Sequence, residues 1–140
     1  MKILAAVDGS PYTKRMLAYL AAHDEWLGAQ HEYTVLHAVQ PLPGRAAAVI
    51  GRDALKAYYA DAAEKVFKPI RTFFARQGIR ATFEAKVEQP AEAVVARAAK
   101  GGFDLIVMGS RGHGSLVKLM LGSVATKVLA QTQVPVLLVR

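Results

Sequence analysis

The sequence predicts a doubly wound α/β fold: five parallel strands in one sheet, with helices packed on both faces. Three observations carry this. Strand-like and helix-like segments alternate along all 140 residues, the pattern of repeated strand–helix–strand units. The first strand, Ile3-Leu4-Ala5-Ala6-Val7, is a nearly unbroken apolar run, as a strand buried on both faces of a parallel sheet requires. Right-handed crossovers then distribute the helices over both faces. With the first and fourth strands side by side the order is 3-2-1-4-5, the winding direction reverses between them, and ligands bind at their carboxyl ends.

Each element has its own signal. Ser10 offers an N-cap and Pro11 the first helical position, and Tyr12, Met16, Tyr19, Leu20 and His23 recur at helical spacing, so a helix is expected to about Leu27. Tyr33 to Val39 forms the second strand, closed by Pro41-Leu42-Pro43-Gly44, which cannot continue a ladder. Gln40 to Gly51 is expected to be a flexible loop. From Asp53 the apolar positions Leu55, Tyr59, Ala62, Val66, Ile70 and Phe73 step by threes and fours, giving a long helix to near Gly78 with a kink at Pro69. Ile79 to Glu88 alternates apolar with polar or charged residues, a strand with one wet face near a sheet edge. Pro90 starts the next helix, Val94, Val95 and Ala98 bury it, and Gly101-Gly102 stop it. Asp104 to Met108 is the fourth strand, Ser123 to Gln131 the last helix, and Pro135 to Val139 the fifth strand.

Composition narrows the function classes. The chain is 53% hydrophobic, enough for one domain over residues 1–140 that buries about two-thirds of its unfolded surface. Cysteine is absent, which excludes disulfides and thiolate metal sites. The N-terminus reads as a strand rather than a signal peptide, and no uncharged apolar run reaches the roughly 20 residues that span a bilayer. The expected setting is the cytoplasm, away from membranes. A net charge of +7 raises nucleic-acid binding, but the basic residues are dispersed and not interleaved with aromatics, so solvated faces explain them better.

The chemistry lies in the glycines that follow the fourth strand. Glycine removes a Cβ, permits positive φ and lets backbone N–H groups converge, and a following helix N-terminus adds partial positive charge, so this segment predicts a phosphate cradle and a bound nucleotide. Gly109 and Gly114 have P-loop spacing, but Ser115 stands where that loop needs lysine. The dinucleotide pattern fails because Val117 replaces its third glycine. What remains is Gly109, two residues, Gly112, nine residues, then Gly122-Ser123.

This spacing, with the opening Ala6-Val7-Asp8-Gly9-Ser10, the strand Leu36-His37-Ala38-Val39 and the terminal Pro135-Val136-Leu137-Leu138-Val139, resembles the universal stress protein family over the whole chain, in its ATP-binding subclass with a Rossmann-like fold. The resemblance implies that Asp8 lies against the nucleoside, where a carboxylate accepts from an amino or hydroxyl group; the bland alternative is a turn-forming aspartate. It implies that Ala38 meets adenine through its backbone and that Ala6, Val7 and Met108 line the same pocket. The triphosphate is expected across Gly109, Ser110, Arg111, Gly112, His113, Gly114 and Ser115, and across Ser123, Val124 and Ala125. Arg111 and His113 either touch phosphate or face solvent. Ser123 caps the last helix, presents it to an anion, or does both.

The implied ligand is ATP, with ADP or AMP as alternatives, and with magnesium or manganese carried by the phosphates. His37 reads as a packed strand histidine, since no second histidine stands at metal spacing. No catalytic constellation stands out, so the expected role is a nucleotide-sensing regulator of the stress response. The alternatives are a slow ATPase or nucleotidyl-transfer enzyme on the same fold, and a nucleotide-independent scaffold or chaperone-like dimer. Two positions depart from the family pattern: Ala125 where a hydroxyl residue is frequent, and Ala38 where valine is common. The resemblance further implies a homodimer through strand Pro135 to Val139, with Val136 and Leu138 against their symmetry mates, and protein partners that the sequence does not name.

Overall fold

The computed structural model describes residues 1–114 and 120–140. In chain order the described elements are β1 (Lys2–Ala6), α1 (Pro11–Ala22), α2 (Asp24–Leu27), β2 (Glu32–Val39), α3 (Gly44–Ile50), α4 (Arg52–Arg76), β3 (Ala81–Val87), α5 (Pro90–Lys100), β4 (Leu105–Gly109), α6 (Ser123–Gln131) and β5 (Val136–Val139). The strands form one parallel sheet in the order β3-β2-β1-β4-β5, so the expected 3-2-1-4-5 winding is observed. β1 is central, with Ala6 level with Leu36 on one side and Met108 on the other.

The alternation of side chains along each strand builds two cores. Ile3, Ala5 and Val7 of the first strand join Val35 and Val107 beneath α1 and α4, where Met16, Leu20, Phe67, Ile70 and Phe74 fill the space. Leu4 points the other way and joins Leu36, Ile106 and Met108 under α5 and α6, where Val94, Ala98, Ala125 and Val128 close over them. β3 lies at one edge, as its alternation predicted. Glu84 on this strand takes a two-pronged ion pair from Arg97 of α5, at 2.7 and 3.0 Å, and the guanidinium holds the carboxyl below the ordinary glutamate range.

Two element boundaries differ from the sequence reading. The first helix stops at Ala22 rather than Leu27, because His23 leaves helical geometry (φ −127°, ψ 44°) and turns its ring onto the Tyr19 carbonyl, Nδ1 donating at 2.9 Å. A separate turn, α2, then carries Asp24 and Glu25 at its positive end, where acidic side chains are favoured. The second difference is α3, inside the segment expected to be a loop. Pro43 (φ −53°) sets the entry, Arg45 to Ala48 are strong helix formers, and Gly51 (φ 86°) ends the turn in a conformation that other residues rarely adopt. The Tyr59 hydroxyl accepts the Leu42 N–H at 2.9 Å and ties this excursion to α4. α4 stays helical through Pro69.

Candidate functional site

The carboxyl ends of β1, β2 and β4 open into a cavity of about 640 Å³, on the α5/α6 side of the sheet where the winding reverses. Ala6, Val7 and Asp8 line it from β1, Ala38 from β2, and Met108 and Gly109 from β4. Arg111, Gly112, His113 and Gly114 border it from the loop, and Gly122, Ser123, Val124 and Ala125 from the start of α6. Residues a hundred apart in sequence therefore share one wall. Ser110 lies beneath that wall: it is buried, its N–H donates to the Val139 carbonyl at 2.8 Å, and its own carbonyl accepts the Gly122 N–H at 2.8 Å. Ser115 lies outside the described residues.

Asp8 is a turn former, and it is more than that. Its Oδ1 accepts the Ser10 N–H at 2.9 Å and the Thr13 hydroxyl at 3.0 Å, while its N–H donates to Thr13 Oγ1 at 3.1 Å. These bonds fix the carboxylate through one oxygen, and Oδ2 faces the loop, where it would lie 2.5 Å from a Cβ at Gly112. Gly112 is thus a glycine because the loop backbone passes directly over this carboxylate. His113 Nε2–H donates to the Asp8 carbonyl at 2.9 Å and holds the loop down on the end of β1.

The other glycines act for different reasons than a shared phosphate contact. A Cβ at Gly109 would stand 2.6 Å from Tyr12 Cβ, so this glycine serves the packing of α1 against β4. A Cβ at Gly122 would meet Arg111 Cα at 3.1 Å, so this glycine lets the two ends of the loop close on each other. Gly114 alone among the loop glycines has positive φ, at 69°, with open space around it. Arg111 braces the same neck through long contacts of 3.4 Å each, Nη1 to Tyr12 Oη and Nε to the Met120 carbonyl.

Ser123 was expected as a cap, but Gly122 holds that position and Ser123 is the first helical residue. The backbone N–H groups of Ser123, Val124 and Ala125 precede the first helical bond, Thr126 N–H to the Gly122 carbonyl at 3.0 Å, and so have no partner within α6. Ser10 occupies the N-cap of α1 without a side-chain cap bond, and among the described residues its buried Oγ has no partner.

Sequence reasoning missed the far wall: Leu36, Val39 and Gln40 from β2 and its exit, and Pro90 and Val94 from the first turn of α5. A usable signal existed, because period-2 alternation places Leu36, Ala38 and Gln40 on one face. Thr13, which locks Asp8, was also missed. His37 is packed, as expected: Nδ1–H donates to the Val7 carbonyl at 2.8 Å and the ring meets Phe67 edge-on.

Fold and site together define a doubly wound α/β protein with a glycine-bordered cleft at its switch point. The universal stress protein family model matches residues 1–140, and the chain belongs to that family. It is 38% identical over 139 residues to a universal stress protein of Thermus aquaticus, covering 99% of this chain and 97% of the relative. Among solved structures it resembles universal stress protein UspA from Lactobacillus plantarum (TM-score 0.79, 22% identity, 100% of this chain and 97% of that one). It also resembles the universal stress protein from Archaeoglobus fulgidus solved in complex with dAMP (TM-score 0.71, 22% identity, 100% and 98%).

Proposed function

We propose that the protein binds an adenine nucleotide, ATP in the first place, and acts as a nucleotide-sensing regulator in the stress response. The observation that carries this is the polarity of the cavity. One end offers the unpaired N–H groups of α6 together with Arg111 and His113, a setting that favours an anion. The other end is apolar, with Leu36, Ala38, Val39, Pro90 and Val94, and suits a flat heterocycle. Asp8 Oδ2 stands between them as an acceptor for a ribose hydroxyl. The dAMP held by the Archaeoglobus fulgidus protein supports a mononucleotide.

Magnesium or manganese fits this site only as a companion of the phosphates. Among the described residues no group of three histidine or carboxylate side chains converges, and Asp8 carries the one carboxylate lining the cavity. A divalent ion would take its oxygens from the polyphosphate, with Asp8 Oδ2 and the Ser123 hydroxyl as the protein groups within the same wall.

The 140 residues work as one domain in this proposal. The outer edge of β5 pairs with a second copy to form a homodimer, and the setting is the cytoplasm. Among the described residues no helix is long and apolar enough to cross a membrane. Titration calorimetry with ATP and magnesium, joined to thermal unfolding, tests the binding. A ligand at 100 times its dissociation constant stabilises by about 2.7 kcal/mol. Absence of both heat and thermal shift at millimolar ATP refutes the proposal, and multiple-turnover release of phosphate would replace the regulator with an ATPase.

A further inference from the structure

We propose that Gln40 reads the hydrogen-bonding edge of the base, an inference that rests on the nucleotide reading above and adds the residue that recognises adenine's 6-amino group. The polar side chains lining the cavity separate by position and by what they already hold. Thr13 Oγ1 is engaged with Asp8, and His37 Nδ1 with the Val7 carbonyl, its ring turned to Phe67 on the opposite face of the sheet. Arg111, His113 and Ser123 belong to the glycine loop and the start of α6, where the phosphates go. That leaves Gln40 at the apolar end, the first residue beyond β2, exposed at the rim and lining the cavity.

Its placement follows from the strand. Leu36 and Ala38 face α5, as their packing with Val94 and Ala91 in one core cluster shows, and the alternation carries Gln40 to the same side. Pro90 and Val94 stand across from it in the first turn of α5. A base held against Ala38 by these apolar groups presents its edge outward along β2, toward the side-chain amide. That amide joins an acceptor to a donor in one plane, and adenine offers the complement: the 6-amino donor beside a ring-nitrogen acceptor. Gln40 is exposed without ligand, so its polar atoms are satisfied by water until the base replaces it.

The test crosses two proteins with two nucleotides. The parent and Gln40→Leu are titrated with ATP and with purine riboside 5′-triphosphate, which carries hydrogen in place of the 6-amino group. The parent is expected to bind ATP about tenfold more tightly than the deaminated analogue, the usual worth of one good base-edge pairing. Gln40→Leu is expected to bind both nucleotides equally, at the weaker affinity, with an unchanged circular dichroism spectrum. A parent that does not distinguish the two nucleotides overturns the inference. So does a variant that distinguishes them as the parent does, or one that weakens both alike. A parent that binds neither nucleotide refutes the nucleotide reading itself.

Discussion

Replacing Gly112 with alanine puts a carbon 2.5 Å from Asp8 Oδ2, about 1 Å inside ordinary contact. Gly112 does not have positive φ, so alanine costs little in backbone conformation and the clash is isolated. Either the carboxylate or the loop must move. If the carboxylate moves, it strains the bonds from Ser10 N–H and Thr13 Oγ1, at 2.9 and 3.0 Å, and hydrogen bonds to a charged group contribute about 1.5–3 kcal/mol each. If the loop moves, His113 leaves the Asp8 carbonyl and the phosphate end of the cavity widens by a comparable distance. Either way ATP affinity is expected to fall by about ten- to a hundredfold, at 1.4 kcal/mol per decade. Calorimetry on Gly112→Ala, Asp8→Ala and the double variant reads this as a cycle. In the Asp8→Ala background the alanine at 112 has nothing to strike, so its penalty should vanish, and the two changes should couple rather than add. Undiminished affinity in Gly112→Ala, or strict additivity in the cycle, would refute the account of loop and carboxylate as one unit.

Three further outcomes are expected. Gly122→Val should abolish ATP binding while circular dichroism stays unchanged, because the new side chain first meets Arg111 Cα at 3.1 Å and the Ser110 carbonyl at 3.5 Å and pushes the loop off its neck; parental affinity would show that the loop is no phosphate cradle. Glu84→Gln should lower the melting temperature by about 3 °C near neutral pH, for an ion pair contributing about 1 kcal/mol. Arg97 holds the folded carboxyl of Glu84 below its ordinary value of about 4.3, so the stabilisation is present above that value and is lost as pH falls through the folded one; the gap between parent and variant should close in acid, and a gap that persists there contradicts the pairing. Leu138→Lys should yield monomers or aggregates in light scattering, since β5 is an edge strand of half-buried apolar residues, and a parent that is monomeric at tens of micromolar sinks the dimer.

The sheet was legible because its strands are either uniformly apolar, as in Ile3 to Val7, or strictly alternating, as in Ile79 to Glu88; both patterns are set by neighbours in the sequence. The near wall of the cavity was legible for a similar reason, since Asp8 and Gly109 end two adjacent strands and topology alone brings them together. What escaped depends on contacts that spacing does not encode. His23 ends α1 by turning its ring onto a carbonyl, and α3 forms where two prolines argued for loop. The glycines were read as a set, yet Gly109 answers to Tyr12, Gly112 to Asp8 and Gly122 to Arg111. Three unrelated close approaches produce one motif.

The division of bulk between the two faces explains why the cavity opens where it does. Beneath α1 and α4 the sheet is covered by Tyr33, Phe67 and Phe74, whose rings meet edge to face and fill the space out to Val7 and Val39 at the carboxyl ends of the strands. On the other face the cover is largely alanine: Ala91, Ala93 and Ala98 in α5 and Ala125 in α6, against Ala6 and Ala38 on the strands. Small side chains bring the helices close at the middle of the sheet. Beyond it, where β1, β2 and β4 end, they leave no bulk to fill the gap between α5 and α6. The same substitution of alanine for larger residues that thins the wall at Ala38 and removes a hydroxyl at Ala125 makes room beside Gln40 and Asp8. Recognition at this site therefore rests on a few side chains at the cavity's rim and on backbone N–H groups along one wall.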